Sequence, residues 1–377
     1  MTGSSLALAL LAFLICRNYG KPVDESKTMF YLIERGNPLK FQEFADSLDD
    51  LKYSDISEPN RTVVLLHGLG GNFNSSSNLL IAEALLRREG YTIIIADYEK
   101  AAEGPDYISA AKNMERVGKD VGNFLLAAQE DGYIALKSTT LIGFSLGAHV
   151  AGIAGYTIKE SSGYLDKIIG LDPPSPWFAD VGPELKLDKS DAGHVVVIHT
   201  ASGYLSMVEP FGHVDFYPNG GTEPQPLCEF SKLASIGVLV TVVCSHLAAY
   251  RYLAESIMKP GFIATKCPSW KDYETGLCEG NEKTFMGFDT DSNVEGTYYL
   301  RTNKEPPFGS PINYDYGEIV DESQPEVFQD AESDPTKYRY YTPTSGAANA
   351  QAFLSAYHLA IYHLFINCIF VFITIKL

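Results

Sequence analysis

The stretch LIGFSLGAHV, residues 141–150, sets one serine between two glycines, behind an apolar run and ahead of a run of small residues. Gly143-Phe144-Ser145-Leu146-Gly147 fits a G-x-S-x-G pattern, in which a serine sits on a strained turn between a strand and a helix. Small residues two positions to either side let strand and helix pass closely enough to hold such a turn. The strain costs on the order of 1–3 kcal/mol, so the surrounding elements must enforce it. The competing reading is one more serine in a glycine-rich turn. The flanking sequence decides between them.

From Arg61 onward, short apolar runs alternate with helical patterns. TVVLLHG reads as a buried strand, and SSNLLIAEALLRREG as a helix that Gly90 stops. YTIIIADY is the next strand. Ala110 to Ala128 then repeats apolar residues at helical spacing, with Val117, Val121, Leu125 and Ala128 on one face. TTLIGF runs as a strand into the serine turn, GAHVAGIAGY follows as a helix, and KIIGLD and HVVVIHT are two further strands. Such alternation predicts an α/β fold with a mostly parallel central sheet flanked by helices. Ser145 falls between a strand and a helix, the context a nucleophile requires.

Open α/β sheets bind ligands at the carboxyl ends of their strands. At that end of the first strand, LLHGLGGNF carries His67, Gly68, Gly70 and Gly71. A loop there supplies one oxyanion N–H and the residue after the nucleophile supplies the other, which points to Leu69 and Leu146. A phosphate-binding loop would need G-x-x-x-x-G-K-[ST], and this stretch lacks it. The acid of a triad should come next in the chain and the histidine last. Asp172 directly follows KIIGL at the correct rim, whereas Asp166 precedes that strand and belongs to the wrong end. An Asp-Pro turn is the plainer account of Asp172. Four histidines follow before the C-terminal tail. His194 and His199 fall in or at a strand, and His213 precedes the turn-rich stretch GHVDFYPNGG. His246 follows Cys244 and opens the helical pattern SHLAAYRYLAES, on a loop that a disulfide would fix, so it is preferred over His213.

In order along the chain, VVLLHGLGG, ADYEKAAEGPDYISAAKNMERVGKDV, LIGFSLGAHVAG, IIGLDPPSPWF, DAGHVVVIHT, GHVDFYPNGG and CSHLAAYRYLAESI resemble the pancreatic lipase family from about Lys27 to Arg301. The resemblance implies the α/β-hydrolase fold, cleavage of acyl esters of glycerolipids, and a triad of Ser145, Asp172 and His246 with Leu69 and Leu146 at the oxyanion hole. It implies no metal or organic cofactor. Three departures stand out. The β-sandwich that digestive and vascular members append has no counterpart in Thr302 to Leu377, so no colipase-type partner is expected. Fifteen residues, EFSKLASIGVLVTVV, separate Cys228 from Cys244. That lid is shorter than in the family's triglyceride lipases and nearer its phospholipase A1 branch. Pro174 and Ser175 stand where the family tends to carry Ala and Gly, a change that leaves Asp172 in place. The lid's Val238, Leu239, Val240, Val242 and Val243 suit a lipid surface, with an ordinary strand leading to His246 as the alternative. Phospholipase A1 is the expected activity. Triacylglycerol lipase is the first alternative, and a lipid-binding or yolk-like protein is an alternative of another class.

Composition agrees. The chain has 377 residues, 45% hydrophobic, enough for a large core, and a net charge of −18 that argues against nucleic acid as a partner. Leu6 to Ile15 has the length of a signal-peptide apolar region and is too short to span a bilayer. The last 26 residues are nearly all apolar and follow the small residues of TPTSGAANAQ. They read as a GPI-attachment signal, a retained membrane anchor or a helix packed on the domain. Between Asp315 and Asp334 lie eight acidic residues and no basic one, a composition that favours an extended stalk. The expected organisation is a signal peptide at 1–20, a catalytic domain at 21–313, an acidic linker at 314–348 and an apolar tail at 349–377. Cys228, Cys244, Cys267 and Cys278 remain once the two cysteines of the ends are set aside. Their spacing favours Cys228–Cys244 and Cys267–Cys278 in an oxidising compartment. Asn60 and Asn74 open glycosylation sequons. A secreted or surface-tethered protein that meets lipid at a membrane or particle surface is expected.

Overall fold

Apolar strand runs such as TVVLL and TIIIA have no polar alternation, so both faces must be covered. The computed structural model describes residues 27–34, 40–44, 61–229 and 237–309, and in them an 11-stranded sheet covered by helices. Its strands are β1 (Met29–Glu34), β2 (Lys40–Phe44), β3 (Arg61–Leu66), β4 (Tyr91–Asp97), β5 (Thr139–Phe144), β6 (Lys167–Leu171), β7 (His194–Ile198), β8 (Val214–Pro218), β9 (Ile263–Lys266), β10 (Lys283–Phe285) and β11 (Gly296–Leu300). The α-helices are α1 (Ser76–Leu86), α2 (Tyr107–Glu130), α3 (Leu146–Glu160), α4 (Gly237–Met258) and α5 (Trp270–Glu274).

Across the sheet the strands run β10-β9-β11-β8-β7-β6-β5-β3-β4-β1-β2. Every pairing from β11 to β4 in that order is parallel. The pairings at both margins are antiparallel. The chain leaves β3 toward β4 on one side and returns to β5 on the other. That reversal opens a crevice between the loops after β3 and β5, where open α/β sheets take ligands.

Alternate side chains point to opposite faces. Val63, Leu65, Ile93, Ile95, Ile142 and Ile169 share one buried cluster with Ile81 and Leu85 of α1 and Leu253 and Ile257 of α4. On the other face α3 lies directly against the strands. A Cβ on Gly147 would stand 2.3 Å from the Leu66 carbonyl oxygen, and one on Gly143 would stand 2.1 Å from the Gly147 carbonyl oxygen. Both glycines are there for close approach. The apolar face expected of Ala110 to Ala128 is real: Val117, Val121, Leu125 and Ala128 are all at 0% exposure.

Two expectations change. His246 is not on a loop at a helix start, because α4 begins at Gly237 and carries Cys244 and His246 within it. The strand alternative for residues leading to His246 falls with it. Valine disfavours helix only weakly, and packing overrides that preference: Val242 is 5% exposed, while Val240 faces out at 36%. The alternation made β3 to β7 legible and left β1, β2 and β8 to β11 unread, and the stretch after His213, expected to be turn-rich, forms β8. The expected signal peptide, linker and tail, the sequon at Asn60 and lid residues 230–236 lie outside the described residues. Among the described residues no helix is long and apolar enough to cross a membrane.

Candidate active site

Phe144, Leu171 and Ile198 are aligned across β5, β6 and β7. Ser145 and Asp172 are the next residues of their chains, and both take the left-handed region, with φ of 55° and 49°. Each stays tied to the neighbouring strand: Ser145 N–H donates to the Leu171 carbonyl at 2.9 Å and Asp172 N–H to the Ile198 carbonyl at 2.8 Å. The backbone therefore turns sharply while its first amide remains in the ladder. At Ser145 it turns directly into α3 (φ 55°, ψ −124°).

The loop after β3 presses against this corner, since a Cβ on Gly68 would stand 3.0 Å from Ser145 Cβ. His67 holds the loop. Its ring is buried, stacks on Tyr98 at 3.9 Å, accepts the Tyr98 N–H on Nε2 at 3.1 Å and donates from Nδ1 to the Gly68 carbonyl at 2.9 Å. Asp97 accepts the N–H groups of Phe73 and Glu99. Burial opposes its ionisation, but these bonds and the His67 ring hold it below the usual carboxylate range. Among the described residues neither Leu69 N–H nor Leu146 N–H meets an acceptor. For Leu146, the first residue of α3, that is the expected state of a helix N-terminus.

Asp172 is fully buried. Its Oδ1 accepts from Thr200 N–H at 2.7 Å and Ala201 N–H at 3.0 Å. Its Oδ2 accepts from the Ser206 hydroxyl at 2.5 Å and from His246 Nδ1 at 2.5 Å. Burial alone would raise its pKa, yet the donors from His246, Ser206 and Thr200 outweigh it and hold the carboxyl below the ordinary range. The His246 side chain is 12% exposed, and its ring packs on Phe144 at 4.7 Å. No direct hydrogen bond joins the Ser145 hydroxyl to the imidazole. Such contacts are often long without substrate and tighten once it binds.

The other downstream histidines have separate occupations. His194 donates from Nε2 to the Val294 carbonyl, His213 accepts the Val195 N–H, and His199 lies between the Met207 carbonyl and Asp215. A further histidine, in the first turn of α3, went unnoticed in the sequence. His149 of α3 donates to the Pro174 carbonyl at 2.9 Å and accepts the Leu187 N–H at 3.1 Å, tying the helix after Ser145 to the loop after Asp172. The departure at Pro174 and Ser175 is absorbed there, with Ser175 N–H donating to the Leu205 carbonyl.

Both expected disulfides form, Cys228–Cys244 and Cys267–Cys278, each with a Cα separation of 5.7 Å. The first ties α4 two residues before His246. Asn74 is exposed. No group of three His, Cys, Asp or Glu side chains among the described residues is placed to hold a metal ion.

The Lipase family model matches residues 14–308 of the chain. Pancreatic lipase-related protein 2 of Rattus norvegicus is 33% identical over 313 residues, covering 76% of this chain and 65% of its own length. Pancreatic triacylglycerol lipase of Oryctolagus cuniculus is 32% identical, covering 74% of this chain and 64% of its own length. The chain thus spans just under two-thirds of these relatives. A solved Pyrobaculum calidifontis esterase overlaps 53% of the chain at 11% identity with a TM-score of 0.30.

Proposed function

The chain belongs to the pancreatic lipase family, and on that premise we propose that it is a serine hydrolase of lipid acyl esters. The observation that carries the reading is the Asp172–His246 hydrogen bond beside the strained corner at Ser145. In the proposed reaction the Ser145 oxygen attacks the ester carbonyl while His246 Nε2 takes the hydroxyl proton. Asp172 holds the ring through Nδ1 and stabilises its charged form. The Leu69 and Leu146 N–H groups receive the oxyanion. Collapse of the tetrahedral intermediate breaks the ester C–O bond, and His246 returns the proton to the departing alcohol. Water then attacks the acyl-serine by the same route and releases the fatty acid. Nothing in this sequence of steps calls for a metal or organic cofactor.

Phospholipase A1 is the preferred activity. The fifteen residues between Cys228 and Cys244 support it, since a short lid leaves room for a polar head group. Triacylglycerol lipase is the second reading, favoured by the names of several relatives. The two disulfides support an oxidising, extracellular setting, and exposed Asn74 is a glycan acceptor there. The organisation into signal peptide, catalytic domain, acidic stalk and apolar tail is part of the proposal, with a lipid surface as the partner.

Phosphatidylcholine vesicles and triolein emulsions, assayed side by side with the secreted protein and Ser145→Ala, test the reading. Fatty acid and lysophospholipid released by the unchanged protein and not by the variant are expected. Release from triolein alone would favour the triacylglycerol reading. Binding to both lipids with release from neither would favour a lipid-binding protein.

A further inference from the structure

Three of the four donors on Asp172 come from one loop, residues 199–213, between β7 and β8. Two are backbone amides, whose position the chain path fixes. The third is the Ser206 hydroxyl, the one side chain of that loop on the carboxylate. Ser206 is 1% exposed, and its hydroxyl also lies 3.4 Å from the Asp172 carbonyl oxygen, so both acceptors it faces belong to Asp172.

Its placement is enforced from several sides. Ser206 N–H donates to the Ala201 carbonyl, Met207 N–H to the Pro173 carbonyl, and the Ser202 hydroxyl to the Met207 carbonyl. Beneath the loop the buried His199 ring bridges the Met207 carbonyl at 3.1 Å and Asp215 Oδ1 at 2.8 Å. Asp215 is in turn held by the Phe211 and Gly212 amides. These seven hydrogen bonds together hold a hydroxyl on the oxygen that His246 also uses.

We propose that Ser206 is a positioning residue of the hydrolytic site, holding Oδ2 of Asp172 in line with His246 and sharing its negative charge. The inference rests on the triad reading above. A carboxylate oxygen has two good acceptor directions, and here His246 takes one and Ser206 the other. Without the hydroxyl, Oδ2 keeps a buried lone pair with no donor and is held on that side by His246 alone, so the aim of the imidazole loosens although the two amides still hold Oδ1. The charge on Oδ2, no longer shared, attracts the imidazolium more strongly. The ring then stays protonated to higher pH, where it cannot act as a base. Ser206 is enclosed and meets no substrate, so substrate affinity is untouched.

The other titratable groups around the pair are few. Glu223, on the segment after β8, feels the Asp172 charge, and its Oε2 is buried without a partner among the described residues. His199 and Asp215 face each other below the loop. His246 comes from α4.

The test measures kcat and KM from pH 5 to 9 with the full secreted chain and a soluble ester, p-nitrophenyl butyrate, which keeps interfacial binding out of the readout. Ser206→Ala is expected to lower kcat about tenfold with KM unchanged, and to move the acidic limb of kcat/KM upward by about half to one pH unit. Ser206→Cys, nearly isosteric and a weaker donor, moves the limb the same way by less, and it decides the matter should the alanine variant not fold. Glu223→Gln leaves the limb where it is. A limb that stays put or moves downward in the Ser206 variants would overturn the inference, as would an equal shift in Glu223→Gln. Unchanged turnover in Ser145→Ala would instead overturn the triad reading, and this inference with it.

Discussion

Ser145 and Asp172 occupy equivalent places on neighbouring strands: each is the first residue past the aligned strand ends, each has φ near 50°, and each amide still bonds across to the next strand. One physical cause serves both. The final ladder hydrogen bond holds the residue at the rim while positive φ throws the chain out of the sheet, so the side chain stands up from the edge instead of following the pleat. A hydroxyl and a carboxylate placed this way share a level and are separated by one strand spacing. His246 needs only to come over from α4, where its Nδ1 meets Asp172 and its ring packs on Phe144, the residue before Ser145.

The corner at Ser145 depends on missing side chains. Gly143→Ala would put a methyl 2.1 Å from the Gly147 carbonyl oxygen, and Gly147→Ala one 2.3 Å from the Leu66 carbonyl oxygen. Both obstacles are backbone, so relief requires moving α3 or β3. Each variant is expected to lose about 3 kcal/mol or more, the upper end of overpacking costs. Chemical denaturation of the soluble protein checks this. A loss below about 1 kcal/mol in both would mean that strand and helix are less closely opposed than described.

His149 gives the fold a defined acid sensitivity. Burial, only partly offset by its bond to the Pro174 carbonyl, pushes its pKa down to about 3 from the ordinary 6.5. The unfolded chain therefore binds a proton between those pH values and the native chain does not. The stability this provides is present above pH 6.5 and is lost as the pH falls toward 3. His149→Gln should cost stability at pH 7.5, because a stack on Phe178 and two hydrogen bonds are disturbed. The penalty should shrink at pH 4.5. Denaturation midpoints of both proteins at the two pH values decide, and an equal penalty at both would contradict the assignment.

The Cys228–Cys244 bridge restrains the helix that brings His246 to Asp172. Replacing both cysteines by serine is expected to cost about 3 kcal/mol in the chain-entropy account. It should also lower kcat more than it raises KM, since on the proposed mechanism His246 is misaimed while the sheet and the loop after β3 are unaffected. Steady-state kinetics below the melting temperature separate the two effects. A variant that is less stable yet kinetically unchanged would show that α4 is positioned by packing alone.

The parallel centre of the sheet was legible because runs such as TVVLL and TIIIA have neither alternation nor helical period and so must be buried on both faces. The corner was legible because G-x-S-x-G between a strand and a helix answers a local steric need. His246 was picked out as the histidine beside Asp172 from its neighbour Cys244, but its setting was misread. GVLVTVV is rich in β-branched residues and carries no helical signature of its own; it is the start of a longer helix, α4, whose Leu253 and Ile257 pack with α1 on one face of the sheet. The strain at Asp172 left no mark, since Asp-Pro describes an ordinary turn equally well. Thr200, Ala201 and Ser206 were invisible for a related reason. Two act through backbone amides that any residue supplies, and the third is a serine in a loop without periodicity. β1 and β2 are short strands at an antiparallel margin, and β1 joins the sheet through β4, a partner distant in sequence.

The central claim is that Ser145 is a nucleophile activated by the His246–Asp172 pair. A fluorophosphonate probe reacts with an activated serine and leaves ordinary serines alone, so labelling followed by peptide mapping tests it directly. The account predicts stoichiometric label on the peptide carrying Ser145, lost in Ser145→Ala and reduced at least a hundredfold in rate in His246→Ala. Label on another residue, or none on the folded protein, would contradict it.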